Sequence, residues 1–274
     1  MNKFHEKYLE FLKIWKGAKW SDFVRRSLGK GRWYWRVATE IILTLAGDRR
    51  AGAIDKADAR DFPLSENLPV LPALDGGVDK QDDDNTHPQD QGNTPWCVAF
   101  ATAGEMSSQA TRIAKREITF DGKALWYLMV EWGLCKLEDQ GTYLRNGVKA
   151  VIKECERSGY VRAVDGSKWK WNRFELVPHE KFDEVMGKNY GIITGSSVRT
   201  PMCDKDWFLR TNGTQGHAYR LIDDNGDRYK AKNSWYRFGI LIGKFFTGNF
   251  WVKKSDINSL FYSSFVLFGC EEVK

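Results

Sequence analysis

Cys97, His217 and Asn233 are the three residue types needed to make, orient and use a thiolate nucleophile. Cys97 lies in Gln91-Gly92-Asn93-Thr94-Pro95-Trp96-Cys97-Val98-Ala99-Phe100, His217 in Gly216-His217-Ala218, and Asn233 in Asn233-Ser234-Trp235. An unperturbed thiol titrates near ~8.5, and an imidazolium partner at a helix N-terminus can lower that to ~3–4. A side-chain amide can hold the imidazole in one tautomer. Val98, Ala99, Phe100, Ala101, Ala103 and Met106 recur with a period between three and four, which predicts a helix opening at Cys97. Pro95 falls just before it, where a missing backbone N–H costs a starting helix nothing. The thiol is therefore expected at the positive end of a helix dipole.

Taken singly, each residue is ordinary. A buried Cys is usually core, a lone His structural, and Asn-Ser a turn. Their joint occurrence is what carries weight. His217 stands 120 residues after Cys97 and Asn233 stands 136 after it, separations expected when nucleophile and base come from different halves of a fold.

With Gln91 six residues before Cys97, the arrangement resembles the papain-like cysteine proteases, as a divergent bacterial or phage-type member. Ala99-Phe100 after the nucleophile, Ala218 after the His and Asn233-Ser234-Trp235 carry the resemblance. It implies Cys97, His217 and Asn233 as catalytic residues, and an oxyanion hole made by the Gln91 side chain and the Cys97 backbone N–H. It implies Trp235 as a shield over the His–Asn bond, and a substrate groove near Pro95, Trp96, Gly141, Thr142 and Gly216. Thr94 stands where the family has a disulfide cysteine, Pro95 where it has a groove glycine, and Trp96 where it has a small residue. The Trp96 indole either narrows the groove or packs below it. Tyr236 replaces the glycine usual after Asn-Ser-Trp. Thr142 either lines the cleft or only caps the helix that follows.

A chain of 274 residues can build one sizeable core in two lobes. The 12 Trp, 10 Tyr and 16 Phe read first as large core side chains. The five cysteines are odd in number and scattered, with no Cys-x-x-Cys, so they are expected mostly reduced and buried, as in an intracellular compartment. The first residues lack the apolar run and cleavage site of a secretory signal. No window reaches the ~18 apolar residues of a membrane span. The expected location is the cytoplasm or a phage particle. Four dispersed His residues show no ligand spacing, and the chemistry requires no metal or other cofactor.

Formal charge is +6, and residues 1–50 hold 12 Lys or Arg against 5 Asp or Glu, so the remainder is close to neutral. A basic surface can touch phosphate, but no nucleic-acid motif accompanies it, and nucleic acid is not the expected partner. Helical periodicity appears over 3–15, 21–28 and 33–45. These basic, aromatic helices form an N-terminal extension, residues 1–60. It serves either as a propeptide or, the favoured reading, as a docking segment for a protein partner or phage particle. Residues 51–90 are rich in breakers and read as an extended strand or linker running over the catalytic domain.

The expected fold class is α+β, a papain-like two-lobe domain over 61–274. Helices from Cys97 to Ala114, Lys123 to Cys135 and Tyr143 to Arg157 make one lobe. Trp169, Trp171 and Phe174 read as a cross-lobe loop packed by its indoles. From Tyr190 the pattern turns to strands. Asp223-Asp224-Asn225-Gly226 is a hairpin turn that would bring His217 and Asn233 side by side. The expected activity is hydrolysis of peptide bonds in a peptide or protein substrate through an acyl-enzyme. A papain-fold structural component of a particle, and an amidase acting on cell-wall peptides, stand as the other readings.

Overall fold

The computed structural model describes residues 53–54, 63–65, 68–73, 89–92, 94–204, 206–234, 248–261 and 263–274. The helices expected before residue 50, together with Trp235 and Tyr236, lie outside the described residues.

Helix α1, Cys97–Ala114, starts where its sequence says it should, with Phe100 N–H bonded to the Trp96 carbonyl at 3.1 Å. It ends at Lys115, whose left-handed backbone (φ 55) stops the run. Most of α1 is buried, polar residues included. Two of those polar groups are satisfied on the helix itself: Thr102 Oγ1 donates to the Val98 carbonyl at 2.9 Å, and Ser107 Oγ to that of Ala103 at 2.7 Å. Ser107 Oγ also accepts the Phe120 N–H at 2.9 Å, joining α1 to the approach of the next helix.

That helix, α2 (Gly122–Glu131), is capped by Asp121, whose carboxylate accepts the Lys123 N–H at 2.8 Å. A third, α3 (Leu144–Ser158), ends at Gly159 with φ 80. Gly147 on α3 packs so closely on α1 that a Cβ there would overlap Thr102 Oγ1. The three helices enclose one core with Trp126, Met129, Leu144 and Val148. The Thr142–Tyr143 pair before α3 is a short strand, β2, and Tyr143 holds the cap position. Thr142 is therefore not the cap. Its hydroxyl accepts from Asn146 Nδ2 at 2.7 Å instead.

The second lobe is an antiparallel sheet. Its strands are β5 (Arg173–Leu176), β6 (Ile192–Cys203), β7 (Leu209–Thr211), β8 (Gln215–Asp224), β9 (Arg228–Lys232), β10 (Asn249–Lys253) and β11 (Phe265–Phe268). They run in the order β10-β9-β8-β6-β11-β5, with β7 on β6. A six-residue helix, α4 (Phe182–Gly187), precedes β6 and packs Phe182 and Val185 into this lobe's core. Alternation along β11 joins the lobes: Phe265 and Leu267 enter the helical core, Val266 and Phe268 the sheet core.

The loop expected over Trp169 to Phe174 is instead two strands on either side of Trp171 and Asn172. Lys168–Lys170 (β4) pairs on one side with Val161–Arg162 (β3) and on the other with Glu271–Val273 (β12) in a small sheet, and Phe174 belongs to β5. Both indoles are buried, Trp171 Nε1 donating to Gln109 Oε1 at 2.9 Å and Trp169 Nε1 to Ser167 Oγ at 2.8 Å. Alternating apolar and basic residues are what a short half-buried strand requires, and the clustered aromatics obscured that period.

The architecture is the expected one, a helical lobe against an antiparallel sheet lobe. Among the described residues no helix is long and apolar enough to cross a membrane.

Candidate active site

The hairpin turn does what its residues predict. Asn225 N–H bonds the Arg228 carbonyl at 2.9 Å and Gly226 takes φ 70. The β8–β9 register closes at Arg220↔Lys232, which leaves Asn233 one residue past its strand. From there Asn233 Oδ1 accepts from His217 Nε2 at 2.7 Å. An amide oxygen only accepts, so Nε2 carries the hydrogen and Nδ1 is the ring nitrogen able to take a proton. Asn233 is itself held by its N–H to the Gly248 carbonyl at 3.1 Å, and its Nδ2 faces Met202 Sδ at 3.8 Å. His217 and Asn233 are both buried.

Cys97 is the first residue of α1, and no side-chain cap or first-turn acid competes for the helix N-terminus. Helix α1 lies against the strand that carries His217. Phe100, Ala101, Gly104 and Ser107 face Ala218, Tyr219 and Arg220 across a hollow of about 30 Å³. Cys97 is completely buried, as His217 is.

Gln91 joins the two lobes beside them. Its N–H donates to the Ser234 carbonyl at 2.9 Å, and its side-chain oxygen accepts the Ser234 hydroxyl. One side-chain N–H goes to the Thr94 carbonyl at 2.6 Å, and Thr94 Oγ1 returns a bond to the Gln91 carbonyl at 2.6 Å. The segment from Gln91 to Cys97 is thus a closed turn fastened to the residue after Asn233. The part played by Ser234 was not read from the sequence, although its place in Asn233-Ser234-Trp235 was the available signal.

Pro95 is buried under this turn. Trp96 points into the helical lobe, stacked on Trp126 at 5.5 Å and 17° and edge-on to Tyr127 at 5.9 Å. The indole next to Cys97 therefore packs in the helical lobe. With Gln91, Thr94, Phe100 and Tyr127 it also walls a hollow of about 580 Å³.

Gly141 has φ 138, open to glycine and strained for other residues. The Thr142–Tyr143 strand after it pairs in parallel with Ala53–Ile54, strand β1. On its other side β1 reaches the residue before His217, where the Ala53 carbonyl lies so close to Gly216 that a Cβ there would overlap it. Gly141, Thr142 and Gly216, read from the sequence as groove residues, are thus gathered around one short strand of the chain's own N-terminal part. Trp235 lies outside the described residues.

All five cysteines are thiols. Burial pushes Cys135 up to about 11, and raises Cys155 and Cys270 as well.

No family model matches the chain, and no curated protein matches it. Solved structures do. Xylellain, a cysteine protease from Xylella fastidiosa, aligns with a TM-score of 0.54 at 18% identity, over 80% of this chain and 97% of that one. Procathepsin B S9 from Trypanosoma congolense gives 0.53 at 13% identity, over 84% and 88%. The cysteine protease and lectin-like domains of Cwp84, a surface layer associated protein of Clostridium difficile, give 0.55 at 12%, over 88% of this chain and 60% of that one. The fold is that of the papain-like cysteine proteases. Identities this low establish the fold alone.

Proposed function

We propose that the chain is a thiol hydrolase that cleaves peptide bonds through an acyl-enzyme on Cys97. The observation that carries this is the 2.7 Å bond from His217 Nε2 to Asn233 Oδ1, made on a sheet packed against a helix that begins with cysteine. Nδ1 of His217 takes the thiol proton, giving a thiolate and an imidazolium. The thiolate adds to the substrate carbonyl, and the oxyanion takes hydrogen bonds from the Cys97 N–H and the second N–H of the Gln91 amide. Each such donor contributes about 2.7–4 kcal/mol in comparable sites. Collapse breaks the C–N bond as the imidazolium protonates the leaving amine. Water, deprotonated by His217, then adds to the thioester, and the acid leaves as the thiolate re-forms.

Strand β1 supports a latent form of this enzyme. It lies between Thr142–Tyr143 and Gly216, where a substrate backbone would have to run, and nucleophile and base are fully buried. The N-terminal part of the chain, which the sequence favoured as a docking segment, is therefore read as an inhibitory strap.

The test is full-length native protein beside its Cys97→Ala variant, with an epoxide thiol reagent and a mixed peptide library. Native protein should take one label at Cys97 and cleave peptides once the strap is released, and the variant should do neither. Labelling at another cysteine, or none after removal of residues 1–60, would favour a structural component that has kept the fold. Labelling without peptide cleavage would favour an amidase acting on another acyl substrate.

A further inference from the structure

Glu105 stands eight residues after Cys97 on α1, and Arg220 three residues after His217 on β8. Arg220 Nη1 lies 3.4 Å from Glu105 Oε2, and the two side chains are 3% and 0% exposed. The carboxylate also accepts the Gly191 N–H at 3.1 Å and Gln109 Nε2 at 2.8 Å. Gln109 reaches on to the Leu267 carbonyl at 2.9 Å, where the two cores meet. The backbone is cut to fit this pair. A Cβ on Gly104 would come within 3.0 Å of Arg220 Nε, and one on Gly191 would overlap the Glu105 carboxylate. Hydrolysis as written above uses neither charge.

We propose that Glu105 and Arg220 form a positioning bridge, which fixes the helix that begins at Cys97 against the strand that carries His217 and so sets the distance between thiol and imidazole. The inference rests on the reading of those two residues as nucleophile and base. A buried ion pair is a poor means of gaining stability, since desolvation offsets most of the attraction. What it supplies is direction, because hydrogen-bonded charges resist a slide that an apolar contact would tolerate. Registration matters to the chemistry: a misplacement of about 1 Å can cost ~10²-fold in rate.

The groups facing the carboxylate are Arg112 of its own helix, Tyr190 before β6, Arg220 of β8 and Cys270 after β11. Burial pushes Glu105 up to about 7, against the hydrogen bonds of Gln109 and Gly191 and the charge of Arg112. Burial also draws Arg220 down to about 9. The bridge therefore strengthens as pH rises through the range around about 7 in which Glu105 ionises.

Native full-length protein, Glu105→Gln, Arg220→Lys and the double variant Glu105→Gln/Arg220→Met are compared in kcat, KM and the NMR titration of His217 across this range. Glu105→Gln should lower kcat at the upper end by about 10–10²-fold with KM within about twofold, the mark of lost positioning. It should also remove the rise of kcat through the Glu105 titration and shift the His217 titration. Arg220→Lys should keep that rise, and the double variant should be no worse than Glu105→Gln alone. A Glu105→Gln profile parallel to the native one, with His217 unmoved, would overturn the bridge. The NMR readout needs no turnover: a native chain that neither cleaves nor labels sinks the protease reading, while the His217 shift still decides the bridge.

Discussion

Ser234 holds Gln91 from two sides, its carbonyl accepting the Gln91 N–H at 2.9 Å and its hydroxyl donating to the Gln91 side-chain oxygen. These residues are 143 apart in sequence and come from different lobes. With the Gln91 oxygen fixed on Ser234, the amide nitrogen turns toward Thr94, to whose carbonyl it donates, and in the proposed mechanism its second N–H serves the oxyanion. Gln91→Ala is expected to lower kcat by roughly 10²–10³, the effect of one lost oxyanion donor. Ser234→Ala keeps the donor and loses only its orientation, so its loss should be smaller, about tenfold. Steady-state kinetics on both variants check this. A Ser234→Ala loss equal to that of Gln91→Ala would mean the serine itself meets the oxyanion.

The strap makes a prediction about accessibility. Ala53 is buried against Gly216, and Cys97 has no exposed surface. Removing residues 1–60 should raise the rate of Cys97 alkylation and the turnover of peptides together, by at least about tenfold if the covered state dominates. Mass spectrometry of stored full-length protein should find a cut near residues 60–75 in the native chain and none in Cys97→Ala. A full-length chain that stays intact, labels as fast as the truncated one and loses association with a particle on truncation would return the segment to a docking role.

Glu105 ties stability to pH with a definite sign. Its folded value, about 7, lies above its ordinary 4.5, so the folded state holds the proton more tightly. The associated stability is fully present below 4.5 and lost as pH rises through about 7. Thermal melts of native protein and Glu105→Gln should therefore diverge across that window, the native Tm falling relative to the variant. Activity is expected to move the other way, because the ionised carboxylate that weakens folding completes the bridge. Parallel melting curves would place the Glu105 titration outside this range.

Trp96 separates packing from specificity. Its stack on Trp126 is expected to stabilise the helical lobe by about 0.5–1.5 kcal/mol beyond area burial. Trp96→Ala should lower Tm while leaving Cys97 alkylation in the truncated protein within about threefold of native, an estimate for a ring that orients no reacting atom. A large change in alkylation with an unchanged Tm would move the indole into the substrate groove.

The sequence by itself determined the start of the helix at Cys97 and the hairpin that brings His217 to Asn233, and it singled out the residues proposed to carry the chemistry. Each is a local signal: apolar period three to four, a proline before a helix, a turn of Asp, Asn and Gly between alternating strands. Only the tertiary structure decided what lies far apart in the chain. Ser234 on Gln91, Arg220 on Glu105 and Ala53 on Gly216 each join segments more than 100 residues apart. No periodicity encodes such pairs. A charge can enter a core only with a partner, and for Glu105 and Arg220 folding alone brings the two together.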